Sequence, residues 1–133
     1  MPTRLLYVDD EPDLRDVVEH QLMLEGFDVT TAADGMDAIE ILTKRTFDVV
    51  LLDVRMPRMN GIDVLQALHA LNIRPRTIML TGDSDVSVLA RCAHFGVNDY
   101  LTKPYNFRDL VNSIGRVMTR VFLPQLDNAA VKE

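Results

Sequence analysis

Four short apolar runs in this chain each end on a polar residue, and that recurrence limits the folds open to it. Leu5-Leu6-Tyr7-Val8 leads into Asp9-Asp10, Val49-Val50-Leu51-Leu52 into Asp53, Ile78-Met79-Leu80 into Thr81, and Tyr100-Leu101-Thr102 into Lys103-Pro104. The first run is too short for a helix and is bounded by acidic residues, so it reads as a buried strand. If all four are parallel strands of one sheet, their C-terminal ends share an edge. Two or three carboxylates, a hydroxyl and an ammonium then meet there, and in open α/β sheets that edge is where sites are built.

The segments between the runs carry helical periodicity. Pro12 suits the first turn of a helix, Leu14, Val17, Val18 and Leu22 follow at helical spacing, and Gly26 closes it. Phe27–Thr31 is rich in β-branched residues and makes a second strand. Asp34-Gly35 turns the chain into a second helix striped by Met36, Ile39 and Leu42. After the strand Val49–Leu52, the loop ends in Asn60-Gly61, a pair that favours positive φ, and Ile62, Leu65, Leu68 and Leu71 stripe a third helix. Thr77–Leu80 is the fourth strand, Val86–Phe95 a helix stopped by Gly96, and Asp99–Leu101 a short fifth strand. Val86 and Val88 lose rotamer freedom in a helix, which makes this fourth helix the least favoured intrinsically. Phe107, Leu110, Val111, Ile114, Val117, Met118 and Val121 form the cleanest helical stripe in the chain. Five strands alternating with five helices imply a parallel sheet covered on both faces.

Composition narrows the function classes. The 133 residues are 47% apolar and 26% charged, which suits one soluble globular domain. A net charge of −6 argues against binding nucleic acid directly, since that needs a basic face to release counterions from phosphates. The single cysteine, Cys92, cannot form an internal disulfide, no apolar stretch approaches the ~20 residues of a membrane span, and no signal-peptide pattern opens the chain. The expectation is a cytoplasmic protein with no membrane contact. His20, His69 and His94 lack metal-ligand spacing and are expected at the surface, and the seven methionines are expected to fill the core.

Two segments carry the chemistry. Leu52-Asp53-Val54-Arg55-Met56-Pro57-Arg58-Met59-Asn60-Gly61 closely resembles the phosphoacceptor segment of response regulator receiver domains, and Tyr100-Leu101-Thr102-Lys103-Pro104 resembles their later signature. Together with Asp9-Asp10, these residues make residues 1–121 similar to a receiver domain of two-component signalling, leaving 122–133 as a tail or the start of a linker. The resemblance implies a flavodoxin-like (βα)5 fold, a doubly wound five-stranded parallel sheet of order 2-1-3-4-5. It implies that Asp53 takes a phosphoryl group from a sensor histidine kinase or histidine phosphotransfer protein, giving an acyl phosphate. It further implies Mg²⁺, or Mn²⁺ in its place, held by Asp10, Asp53 and the carbonyl of Arg55, with Asp9 acting through water. An acidic loop alone would repel phosphate, and a divalent cation reverses that sign.

The remaining roles also come from the resemblance. Lys103 holds the Asp53 carboxylate at rest and a phosphoryl oxygen afterwards, next to a cis peptide at Pro104. Thr81 and Tyr100 are the switch pair: the Thr81 hydroxyl moves to bind the phosphoryl group, the Tyr100 ring rotates inward, and occupancy is passed to a face made of the fourth helix, fifth strand and fifth helix. Binding of a downstream protein or output domain would change there, and a phosphorylation-dependent homodimer is open to the same face. Arg55 and Asp83, each two residues past a site residue, would hang over the mouth and tune dephosphorylation. On this reading the chain is a switch and not an enzyme, with only self-catalysed transfer and slow loss of the phosphoryl group.

Single residues separate the alternatives. A phosphatase with an aspartyl nucleophile needs a general-acid Asp two residues on, where this chain has Arg55. A nucleotide-binding module needs a hydroxyl- or glycine-rich loop after the first strand, where this chain has Asp9-Asp10-Glu11-Pro12-Asp13. The alternative that survives is a receiver fragment of a longer regulator whose output domain lies outside this sequence.

Overall fold

A computed structural model describes residues 1–82 and 86–120. Strands β1 (Arg4–Val8), β2 (Asp28–Ala32), β3 (Val49–Asp53), β4 (Thr77–Thr81) and β5 (Asp99–Thr102) alternate with helices α1 (Pro12–Leu24), α2 (Gly35–Lys44), α3 (Gly61–Ala70), α4 (Val86–His94) and α5 (Phe107–Arg120). All strand pairs are parallel, in the order β2-β1-β3-β4-β5. The expected flavodoxin-like topology is therefore the observed one. The proposed boundary at residue 121 and the tail after it lie outside the described residues.

Alternation along the central strands divides the core in two. Leu6, Val8, Val50 and Leu52 pack towards α2, α3 and α4, against Leu42, Leu65 and Cys92. Leu5, Tyr7, Val49 and Leu51 pack towards α1 and α5, against Val18, Leu22, Leu110 and Ile114. The three central strands are thus apolar on both faces, which is why β1, β3 and β4 read as unbroken apolar runs.

Glycine- and asparagine-closed helix ends deliver the chain back to the sheet. After α1, Gly26 (φ +97°) donates to the Met23 carbonyl and Phe27 to the Leu22 carbonyl. The same pair of bonds closes α3 through Asn72 (φ +59°) and α4 through Gly96 (φ +73°). Phe27 is spent on this turn, so β2 begins at Asp28 and not at Phe27.

Several expectations need correction. The loop before α3 does not place Asn60-Gly61 at positive φ. Asn60 instead caps α3 in a reciprocal capping box with Asp63, and the positive φ falls on Arg58 (+67°). Met36 is 65% exposed, and α2 buries Gly35, Ala38 and Leu42 instead. The methionines are not uniformly core: Met23 and Met36 are exposed, while Met56 and Met79 are buried. His69 is half-buried and bonds the Phe95 carbonyl at 3.0 Å, with His69 and His94 both edge-on to the Phe95 ring.

Candidate functional site

The site forms where β1, β3, β4 and β5 end. Asp53 is the last residue of β3, paired with Leu80, so Thr81 and then Lys103 follow on the neighbouring strands at the same edge. Asp9 and Asp10 leave β1 on the other side of β3. Carboxylate oxygens of Asp9, Asp10 and Asp53 all lie within 4.8 Å of one another, and they form the one group of acidic, histidine or cysteine side chains among the described residues that could hold a metal ion. Three carboxylates that close repel unless a cation intervenes, and an all-oxygen donor set suits Mg²⁺.

Asp53 is 4% exposed. Its Oδ2 accepts a hydrogen bond from Lys103 Nζ at 2.9 Å, and its Oδ1 accepts one from the Arg55 N–H at 3.3 Å. Burial pushes the Asp53 carboxyl up, the Lys103 ammonium pulls it down, and the Asp9 charge pushes it up again; the net direction is upward. The ammonium is placed by the loop after β5, where the Lys103 N–H donates to the Thr81 carbonyl and the Lys103-Pro104 peptide is cis.

Asp9 is 1% exposed and fixed by three neighbours. Its Oδ1 accepts the Glu11 N–H at 2.9 Å, its Oδ2 accepts the Tyr7 hydroxyl at 2.7 Å, and its carbonyl accepts Arg15 Nη1 at 2.8 Å. Neither Asp9 nor Asp10 caps α1: Glu11 holds the cap position, with no side-chain cap bond, and Pro12 starts the helix. Burial and the bond to Asp9 push the Tyr7 phenol up, and burial pushes Tyr105, beside the same carboxylates, up to about 12. Both phenols are therefore neutral at ordinary pH, and that of Tyr7 donates to Asp9.

Gly61 lets the loop after Asp53 fold back on β3. Its N–H donates to the Val54 carbonyl, and a Cβ there would stand 2.5 Å from the Asp53 carbonyl oxygen. The requirement at Gly61 is thus close approach and not positive φ.

Of the residues expected from sequence, Asp9, Asp10, Asp53 and Lys103 come together. Thr81 is buried at the end of β4, one position past the partner of Asp53. Tyr100 is 43% exposed on β5. Arg55 is exposed at the loop following Asp53. Asp83, its expected partner, lies outside the described residues. Tyr7 and Arg15 were missed. Tyr7 could have been found from alternation, because it shares a strand face with Asp9 two residues on.

On the α4–β5–α5 side, Asp99 of β5 accepts the Ser113 hydroxyl at 2.6 Å and Arg116 Nη2 at 3.0 Å, both from α5. Burial alone would raise the Asp99 carboxyl, but these bonds and the Tyr100 N–H hold it below the usual carboxylate range. Among the described residues no helix is long and apolar enough to cross a membrane.

Comparison with known proteins agrees with this geometry. The family model described as the response regulator receiver domain matches residues 5–115. The transcriptional regulatory protein CpxR of Escherichia coli K12 is 39% identical over 117 residues, covering 88% of this chain and 50% of the relative. The probable transcriptional regulatory protein TcrX of Mycobacterium tuberculosis is 36% identical over 129 residues, 97% of this chain and 55% of the relative. The chain thus spans about half the length of these curated relatives. Among solved structures, a CheY-like receiver domain protein from Methanospirillum hungatei superposes with a TM-score of 0.84 at 28% identity, covering 90% of this chain and 96% of that one. Chemotaxis protein CheY4 of Vibrio cholerae gives 0.81 at 32% identity, covering 88% and 99%.

Proposed function

The chain belongs to the response regulator receiver domain family, a phosphoacceptor switch of two-component signalling, and from that premise we propose that Asp53 is its phosphoacceptor. The observation that carries this is one buried carboxylate with a 2.9 Å ammonium partner on one side and two further carboxylates within 4.8 Å on the other. An Asp53 oxygen attacks phosphorus, the O–P bond forms, and the N–P bond of a phosphohistidine breaks, leaving its electron pair on the imidazole nitrogen. Lys103 is placed to shift from the carboxylate to a phosphoryl oxygen, so its charge is present before and after transfer. Asp9, Asp10, Asp53 and the Arg55 carbonyl would hold Mg²⁺, which supplies positive charge to balance the transferring group. Arg55 at the mouth would set how readily water reaches the acyl phosphate, together with Asp83.

No turnover of an external substrate follows from this site: the chain modifies itself and slowly reverses the modification. Thr81 and Tyr100 would report occupancy by shifting a pre-existing equilibrium, with the exposed Tyr100 ring turning inward. The face of α4, β5 and α5 would then change its affinity for a downstream protein, an output domain or a second copy of the chain. Since the chain spans about half the length of relatives described as transcriptional regulators, an output domain outside this sequence is the favoured recipient. The donor is a sensor histidine kinase or a phosphotransfer protein. Incubation with acetyl phosphate and Mg²⁺ tests the assignment: wild type gains one phosphoryl group and Asp53→Asn gains none, whereas equal labelling of both removes Asp53 from its role.

A further inference from the structure

Asp9 is the most enclosed of the three carboxylates, and the sheet itself explains its surroundings. Residues 5 and 7 of β1, with Asp9 just past its end, point to one face, as do 49, 51 and 53 of β3. Tyr7 therefore lies under Asp9 on the α1–α5 side, one strand over from Asp53, with its ring fully buried among Leu51, Leu80, Leu110 and Ile114. Strand positions two apart are separated by roughly 7 Å, a span a phenol can bridge and an aliphatic side chain cannot. The bridge is the 2.7 Å hydrogen bond from the Tyr7 hydroxyl to Asp9 Oδ2.

We propose that Tyr7 is a positioning residue whose hydroxyl fixes the Asp9 carboxylate for a divalent cation. This rests on reading Asp9, Asp10 and Asp53 as the cation site. With Oδ2 held by Tyr7 and Oδ1 held by the Glu11 N–H, the plane of the Asp9 carboxylate is set before any ion arrives. Each oxygen keeps further acceptor capacity for an ion or a water on that ion. Without the Tyr7 donor, repulsion from the two neighbouring carboxylates turns Asp9 away, and the ion must reorder it on binding. Outer groups of this kind typically govern metal affinity by ten- to a hundredfold. Tyr105 is the internal contrast: its phenol faces the same carboxylates but makes no hydrogen bond to them.

The test uses Mn²⁺ as probe on the unphosphorylated protein, with free ion counted by electron paramagnetic resonance. Tyr7→Phe should bind one ion about tenfold more weakly than wild type, and Tyr105→Phe should stay within about twofold. In wild type the Tyr7 hydroxyl proton, buried and donated to a carboxylate, should give a slowly exchanging downfield proton resonance that moves on adding diamagnetic Mg²⁺. Unchanged or tighter Mn²⁺ binding by Tyr7→Phe overturns the proposal, as does equal weakening by Tyr105→Phe or a hydroxyl resonance indifferent to Mg²⁺. Asp10→Ala separates the two levels. Lost binding in Asp10→Ala with unchanged binding in Tyr7→Phe leaves the cation site standing and removes Tyr7 from it, whereas full binding by Asp10→Ala overturns the site reading as well.

Discussion

Replacing Asp10 by Asn should make the metal-free protein more stable and take away its response to Mg²⁺. The substitution keeps shape and removes one of three charges whose oxygens lie within 4.8 Å of each other. At an effective dielectric of about 20, two unit charges at that distance repel by about 3.5 kcal/mol. Asp10 faces two such partners, while Lys103 offsets charge on Asp53 alone. Asp10 is only half-buried, so water screens most of this, and a net gain of about 1–2 kcal/mol remains. For a domain of this length that raises Tm by about 4–8 °C. Wild type, in turn, should gain about 1.4 kcal/mol at a Mg²⁺ concentration tenfold above its dissociation constant. Thermal unfolding followed by circular dichroism, in EDTA and in excess Mg²⁺, reads both effects. A lower Tm for Asp10→Asn in EDTA would refute the reasoning, because it would mean that the Asp10 charge stabilises the loop or helix and does not strain the site.

Gly61→Ala should cost about 1–3 kcal/mol and slow labelling of Asp53, since the new methyl would stand 2.5 Å from the Asp53 carbonyl and 2.9 Å from Met79 Cε; wild-type stability and labelling rate would show that the loop yields freely. Ser113→Ala should lose about 1.5–3 kcal/mol at neutral pH by removing a buried donor to ionised Asp99. The Asp99 carboxyl is lowered on folding, so its contribution is present above the usual carboxylate range and fades as pH falls through the folded value. Urea titrations should therefore show the Ser113→Ala difference shrinking in acid, and a pH-independent difference would contradict the ionic role. Arg55→Ala should change the lifetime of the acyl phosphate, about tenfold for each 1.4 kcal/mol of barrier, in a chase after removal of acetyl phosphate; an identical lifetime would remove Arg55 from the mouth of the site.

The fold and the clustering of the candidate site were legible because both rest on short-range rules. Unbroken apolar runs specify strands buried on two faces, and the residue at each run's end marks the sheet edge, which is why Asp9, Asp10, Asp53, Thr81 and Lys103 stand out. What escaped depends on competition between local rules or on tertiary context. Asn60-Gly61 resembles a positive-φ turn, but the capping box with Asp63 wins, and the left-handed residue moves to Arg58. Met36 fits the helical stripe of α2 on spacing alone, yet Gly35 packs so closely on Met59 and Val64 that the small residues take the inner face. Tyr7 passed as core because its ring is core; only its tip serves the site. Nothing in the sequence around His69 announces the Phe95 carbonyl that it bonds, so its partly buried position depends on tertiary context.

Reductive trapping tests the central claim most directly. Protein treated with acetyl phosphate and Mg²⁺ is reduced with borohydride, which converts an aspartyl phosphate to homoserine, and its peptides are read by mass spectrometry. Homoserine at position 53 alone, absent from the untreated protein, is the result expected of a site built around Asp53 and Lys103. Homoserine at Asp9, Asp10 or any other acidic position, with residue 53 still aspartate, would contradict it.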